Sequence, residues 1–131
     1  ELLSPDAAAG RVTMNLLLEP DLPSVMADPS RLEQAVTNLL QNAVDACVEV
    51  GGGRVQLRAH RGPTGLVVEV EDNGGGIRAS PSRIFQPFYT TKRKGTGLGL
   101  SIVDSIVSQH HGDIHVDSQP GRTVFSMRLP T

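Results

Sequence analysis

Side chains able to bind a metal or a polar ligand recur along the first half of the chain. Arg31, Gln34, Asn38, Asn42 and Asp45 are spaced three or four apart, which puts them on one face of a helix. Asn38 and Asn42 would be stacked one turn apart. Asparagine is a poor helix former, so two at this spacing invite a specific reason, although a solvated helix face accounts for the stripe taken alone. An amide oxygen is a hard ligand of the kind Mg²⁺ accepts when phosphates and waters fill its other positions.

Asp72 shares the parity of Leu66, Val68 and Val70, so in a strand its carboxylate points to the core side and needs a partner there. Asn73-Gly74-Gly75-Gly76-Ile77 follows, a backbone free to turn sharply and to let a flat ligand come close. The exocyclic amino group of adenine would satisfy the carboxylate, and so would the local amides of a turn. Further on, Gly95-Thr96-Gly97-Leu98-Gly99-Leu100 opens a second helical pattern, where free amides and the helix dipole would favour an anion. Lys92, Arg93 and Lys94 stand just before it. The glycines fit neither GxxxxGK followed by Ser or Thr nor GxGxxG, and a flexible connector is the plain alternative. Between these pieces, residues 84–92 hold Phe85 and Phe88, two of the three phenylalanines, expected to anchor a polar loop on the core.

Positioning these groups takes a particular set of elements. Val12, Met14, Leu16 and Leu18 alternate, predicting a half-buried strand over residues 11–19, with a short extended piece at 25–27. Asp28-Pro29-Ser30 caps and opens a helix carrying Leu32, Val36, Leu39, Leu40, Ala43 and Cys47, and Gly51-Gly52-Gly53 ends it. Val55, Leu57 and Ala59, then Leu66, Val68 and Val70, predict a hairpin around Gly62-Pro63. Residues 73–97 are too irregular for one element and too long for a simple connection, which suggests a functional loop. A helix from about residue 98 to residue 111 ends at Gly112, and strands over 114–117 and 124–129 flank a turn at Gln119-Pro120-Gly121.

The 131 residues suit one domain, read as residues 11–131, with 1–10 a linker or the end of a preceding element. A net charge of -2 implies no broad cationic face for nucleic acid or an anionic membrane. The single cysteine, Cys47, reads as a small buried hydrophobe, which fits a reducing, cytoplasmic setting. No apolar run is long enough to span a bilayer, so direct membrane contact by this domain is not expected.

In this order the four pieces resemble the N, G1, F and G2 boxes of the catalytic and ATP-binding domain of bacterial sensor histidine kinases, within a superfamily that includes gyrase, Hsp90 and MutL. The likeness runs from about residue 11 to 130 and is nearest to the nitrogen-regulation type. It implies an α+β, two-layer α/β sandwich of the Bergerat type, a mixed sheet covered on one face by helices, with a mobile ATP lid over residues 78–94. It also implies ATP and Mg²⁺ as ligands: Asn42 on the metal, Asn38 beside it on the phosphate side, and Asp72 on the adenine amino group. Gly74, Gly76 and Ile77 would shape the pocket floor. Gly95, Thr96, Gly97, Leu98, Gly99 and Leu100 would cradle phosphates, Phe88, Lys92 and Arg93 would act from the lid, and Thr123 would join the network around adenine. Asp45 departs from the family, which often has Lys or Arg there, a charge that Lys92 or Arg93 would supply instead.

Hydrolysing relatives carry Glu at the position of Asn38. An amide cannot act as a general base, whereas a neutral imidazole already offers a lone pair, so Asn38 favours transfer to histidine. That acceptor is expected on a separate dimerising domain upstream, with a response-regulator receiver domain downstream of it in the relay. None of His60, His110, His111 and His115 is directly followed by an acidic residue, as the family's acceptor usually is. The fragment alone is expected to be a poor kinase. An anti-sigma-factor serine kinase, a gyrase- or MutL-like ATPase and a regulatory nucleotide-binding module are the alternatives.

Overall fold

The computed structural model describes residues 11–77, 84–86 and 99–131. The segment expected as a linker, 1–10, and most of the expected lid lie outside them. The elements are β1 (Val12–Leu18), α1 (Pro29–Glu49), β2 (Gly53–Arg61), β3 (Gly65–Asp72), α2 (Gly99–Gln109), β4 (Asp113–Gln119) and β5 (Arg122–Pro130).

Both helix ends of α1 follow from local chemistry. Asp28 Oδ1 accepts from the backbone amides of Ser30 and Arg31 at 3.0 and 3.3 Å, and Pro29 supplies no amide that would need a partner. At the other end Gly52 N donates to Cys47 O and Gly51 N to Val48 O, with Gly51 at φ 92°, a Schellman closure. α2 ends in the same way, Gly112 N reaching Val107 O and His111 N reaching Ser108 O. The left-handed residue there is His111, at φ 61°, so the stop expected at Gly112 falls one residue earlier.

The strands form one mixed sheet in the order β1-β2-β3-β5-β4. β1 and β2 are parallel, joined through α1, and the other pairs are antiparallel. The 25–27 segment joins no ladder. Alternation decides the two faces. Val55, Ala59, Val68, Val70, Phe125, Met127 and Leu129 share a core with Ala35, Leu39, Leu40, Val44 and Cys47 of α1 and Val103, Ile106 and Val107 of α2. Ile84 joins this core, and Phe85 meets Phe125 edge to face at 6.2 Å, as expected for an anchored loop, while Phe88 lies outside the described residues.

The opposite face carries a charge network: Arg58 bonds Glu69 and Glu71, and Arg122 bonds Glu71. Burial alone would raise these carboxyls, but the hydrogen bonds and charge of Arg58, joined by Arg122 at Glu71, hold both below the usual range. The half-buried reading of β1 holds only for Val12: Leu16 and Leu18 are 61% and 55% exposed. β1 is an edge strand, and of the strands α1 packs chiefly on β2 and β3.

Candidate functional site

The last residue of β3 sits where three parts of the fold converge. Asp72 pairs with Val55 of β2 on one side and Thr123 of β5 on the other, and both Asp72 and Thr123 are 2% exposed. The sheet register therefore delivers the carboxylate and the hydroxyl to the helix side of two neighbouring strands. Asp72 Oδ1 accepts from Gly74 N at 2.9 Å. Its other oxygen has no hydrogen-bond partner among the described residues, and no described buried side-chain oxygen is left unsatisfied, so that oxygen keeps a small contact with solvent. Burial, and then the charge of Glu71, push the Asp72 carboxyl up to about 6 against the opposing pull of the Gly74 amide.

The turn after Asp72 is held from both sides. Asn73 Oδ1 accepts from Arg54 N at 2.6 Å, at the start of β2. A methyl group on Gly74 would lie 2.7 Å from Ala46 O of α1, and Gly76, at φ 88°, has Gln119 O of β4 equally close. Ile77 N donates to Ser118 Oγ at 2.7 Å, and Ser118 Oγ lies 2.7 Å from Thr123 Oγ1. The pocket floor expected from Gly74, Gly76 and Ile77 is thus tied to the expected Thr123 through Ser118. Reading the sequence missed Ser118. Its parity with Ile114 and Val116 placed it inward, but its partners depend on the β4–β5 register.

Ala46 stands one helical turn beyond Asn42, so the face of α1 carrying Asn38 and Asn42 runs to the same turn. Asn38 Nδ2 donates to Gly99 O at 3.3 Å, bringing the first residue of α2 to this face. The side-chain amide of Asn42 has no hydrogen-bond partner among the described residues. Asp45 accepts from Gln41 Nε2 at 2.9 Å. Leu100 is partly buried against the core. Phe88, Lys92, Arg93, Gly95, Thr96, Gly97 and Leu98 lie outside the described residues, and with them the proposed replacement for the missing cation at Asp45. Cys47 is fully buried behind the turn, and burial first, then the Asp72 charge, raise its thiol, so it stays protonated and inert.

The arrangement offers one buried carboxylate acceptor, a hydroxyl network beside it, and side-chain amides along a helix whose face meets the start of a second helix. Among the described residues no group of three His, Cys, Asp or Glu could hold a metal by itself. A hard divalent ion would need oxygens from a bound ligand in addition to Asn42, which suits an ion that arrives with phosphates.

Comparison with known proteins gives the family and the fold. Residues 27–131 match the family described as histidine kinase-, DNA gyrase B- and HSP90-like ATPase. The chain is 39% identical to the sensor histidine kinase ZraS of Escherichia coli over 99% of its own length and 28% of that protein. It is 43% identical to the sensory histidine kinase/phosphatase NtrB of Rhodobacter capsulatus over 86% of its length and 35% of that protein. It therefore spans about a third or less of these relatives. Among solved structures, the catalytic domain of histidine kinase ThkA superposes with a TM-score of 0.82 at 31% identity, covering 95% of this chain and 82% of that one. Full-length ShkA in complex with AMPPNP superposes with a TM-score of 0.85 at 31% identity, covering 98% of this chain and 27% of that one.

Proposed function

The chain belongs to the histidine kinase-, DNA gyrase B- and HSP90-like ATPase family, and from that premise we propose that it binds ATP with Mg²⁺ and donates the γ-phosphoryl group to a histidine on another domain. The observation that carries the nucleotide reading is Asp72, a buried carboxylate at the end of β3 with one oxygen that no described residue engages. An adenine amino group would give that oxygen the donor it lacks, and a guanine carbonyl at the same place would repel it. Thr123 and Ser118 would orient a second edge of the base.

Asn42 fits the metal role because its amide is uncommitted among the described residues. When bound, Mg²⁺ supplies charge neutralisation at the phosphates. Asn38 holds Gly99 at the mouth of α2, whose N-terminal dipole favours the phosphates. Neither amide can abstract a proton, so this chain's contribution to transfer is positioning and charge stabilisation, which suffices for a neutral imidazole acceptor. The relay partners we propose are a histidine-bearing dimerisation domain of the same protein and a response-regulator receiver domain. The setting we propose is the cytoplasm, where ATP is available as the donor. No described helix is long and apolar enough to cross a membrane.

Calorimetric titration of the chain with AMP-PNP, with and without Mg²⁺, and with GMP-PNP tests the proposal. Mg²⁺-dependent binding of the adenine compound is expected, with the guanine compound at least about tenfold weaker, since a base edge mismatched to a buried acceptor costs more than 1.4 kcal/mol. Asn42→Ala should abolish the Mg²⁺ dependence. Equal binding of the two bases would remove Asp72 from base recognition.

A further inference from the structure

None of the chemistry above uses His110, at the end of α2. Its ring lies between two backbone groups: Nδ1 is 2.8 Å from Ile106 O, and Nε2 is 3.0 Å from Asp28 N. A carbonyl only accepts and an amide only donates, so Nδ1 carries the proton and Nε2 offers a lone pair. Asp28 is the residue that caps α1, so one imidazole joins the last turn of α2 to the cap of α1.

At the other end of α2, Asn38 Nδ2, from the middle of α1, donates to Gly99 O, the first residue of α2. The two ties join the cap of α1 to the end of α2 and the middle of α1 to the start of α2: ten residues separate Asp28 from Asn38, and eleven separate Gly99 from His110. At 1.5 Å per residue these spans are about 15 and 16 Å, so antiparallel helices are pinned twice over nearly equal lengths. Between the pins, Ala35, Val103, Ile106 and Val107 belong to the common apolar core. Apolar burial resists separation but has little directionality, so the polar ties select the lengthwise register.

We propose that His110 is a positioning residue: through Asp28 it sets the register of α2 against α1, and thereby the spacing between the phosphate-facing N-terminus of α2 and Asn42. This rests on the nucleotide reading above. It predicts an effect on the phosphate half of the site and none on the adenine half, because Asp72 and Thr123 are built on the sheet.

The test compares His110→Gln, whose amide oxygen reaches the place of Nε2, with His110→Asn, which keeps a donor for Ile106 O but is too short for Asp28. His110→Leu is a second tie-breaking variant of similar bulk. Calorimetry with Mg²⁺–AMP-PNP and with adenosine, and amide hydrogen exchange at Asp28, are the readouts. For the Asn and Leu variants we expect AMP-PNP affinity to fall about five- to tenfold, adenosine affinity to hold, and Asp28 exchange to quicken. The Gln variant should match wild type in all three. Equal losses for both ligands, no loss for AMP-PNP, or a Gln variant as weak as the Asn variant would overturn the proposal. Wild-type chain that binds neither ligand would overturn the nucleotide reading first, and this inference with it.

Discussion

Asp72 combines a cost to folding with its proposed use in binding. With its carboxyl pushed up to about 6 from 3.8, the folded chain holds a proton more tightly than the unfolded one. That contribution to stability is full below the unfolded value and is lost as pH rises through about 6, leaving a penalty of about 3 kcal/mol at neutral pH. Asp72→Asn keeps an oxygen for Gly74 N without the charge. It should therefore be more stable than wild type at pH 7.5 by roughly 1–3 kcal/mol in urea denaturation, with the gain shrinking toward pH 4. Base recognition has the opposite sign, because the amino group seeks the ionised form. Adenosine affinity of the wild type should rise as pH passes about 6, and the Asn variant should bind weakly at every pH. A pH-independent stability difference would mean that the carboxyl is solvated in the folded state.

At the scale of elements, the helix ends show how local rules and tertiary demands share the work. α1 closes on Gly51, whose left-handed backbone is free of cost, while α2 closes on His111 in the same conformation. His111 is exposed and has no assigned role, so the strain is not offset by a contact of its side chain. His111→Gly removes that strain but adds freedom to the unfolded chain. The net expectation is a gain of about 0.5–1 kcal/mol, read from the shift of the urea midpoint at unchanged slope. A loss instead would show that the His111 side chain packs or bonds in a way its exposure hides. The Asn73 tie to Arg54 and the close approach of Gly74 to Ala46 belong to this scale too, since they lock the turn that aims Asp72.

For the whole molecule the question is whether the chain holds its own phosphate acceptor. His60 faces Glu69, His115 faces Asp113, and His110 is bonded on both ring nitrogens, which leaves His111 as the one histidine with no described partner. Incubated with Mg²⁺ and γ-labelled ATP, the chain alone should gain no acid-labile, base-stable label. Adding a separately prepared histidine-bearing dimerisation domain of a sensor kinase should produce it on that domain. Label on the chain itself would relocate the acceptor and remove the need for a second domain.

Much of this was legible in one dimension. Strand alternation, the Asp28 cap and the glycine stops located all seven described elements, because period and capping act over a few residues. The parity of Asp72 with Leu66, Val68 and Val70 told which way its carboxylate points. The family resemblance added roles for Asn38, Asn42 and Thr123 that spacing alone left open. Long-range pairing was not legible. That Thr123 sits beside Asp72, that Ser118 links it to Ile77, that Asn38 holds Gly99 and that His110 accepts from Asp28 depend on sheet register and helix placement. The exposure of Leu16 and Leu18 was hidden for the same reason, since alternation marks an apolar face but not whether a helix covers it. The chain by itself determined its elements and the direction of its key carboxylate, through interactions between near neighbours. Only the tertiary structure decided which groups meet, because those contacts join residues up to 82 positions apart.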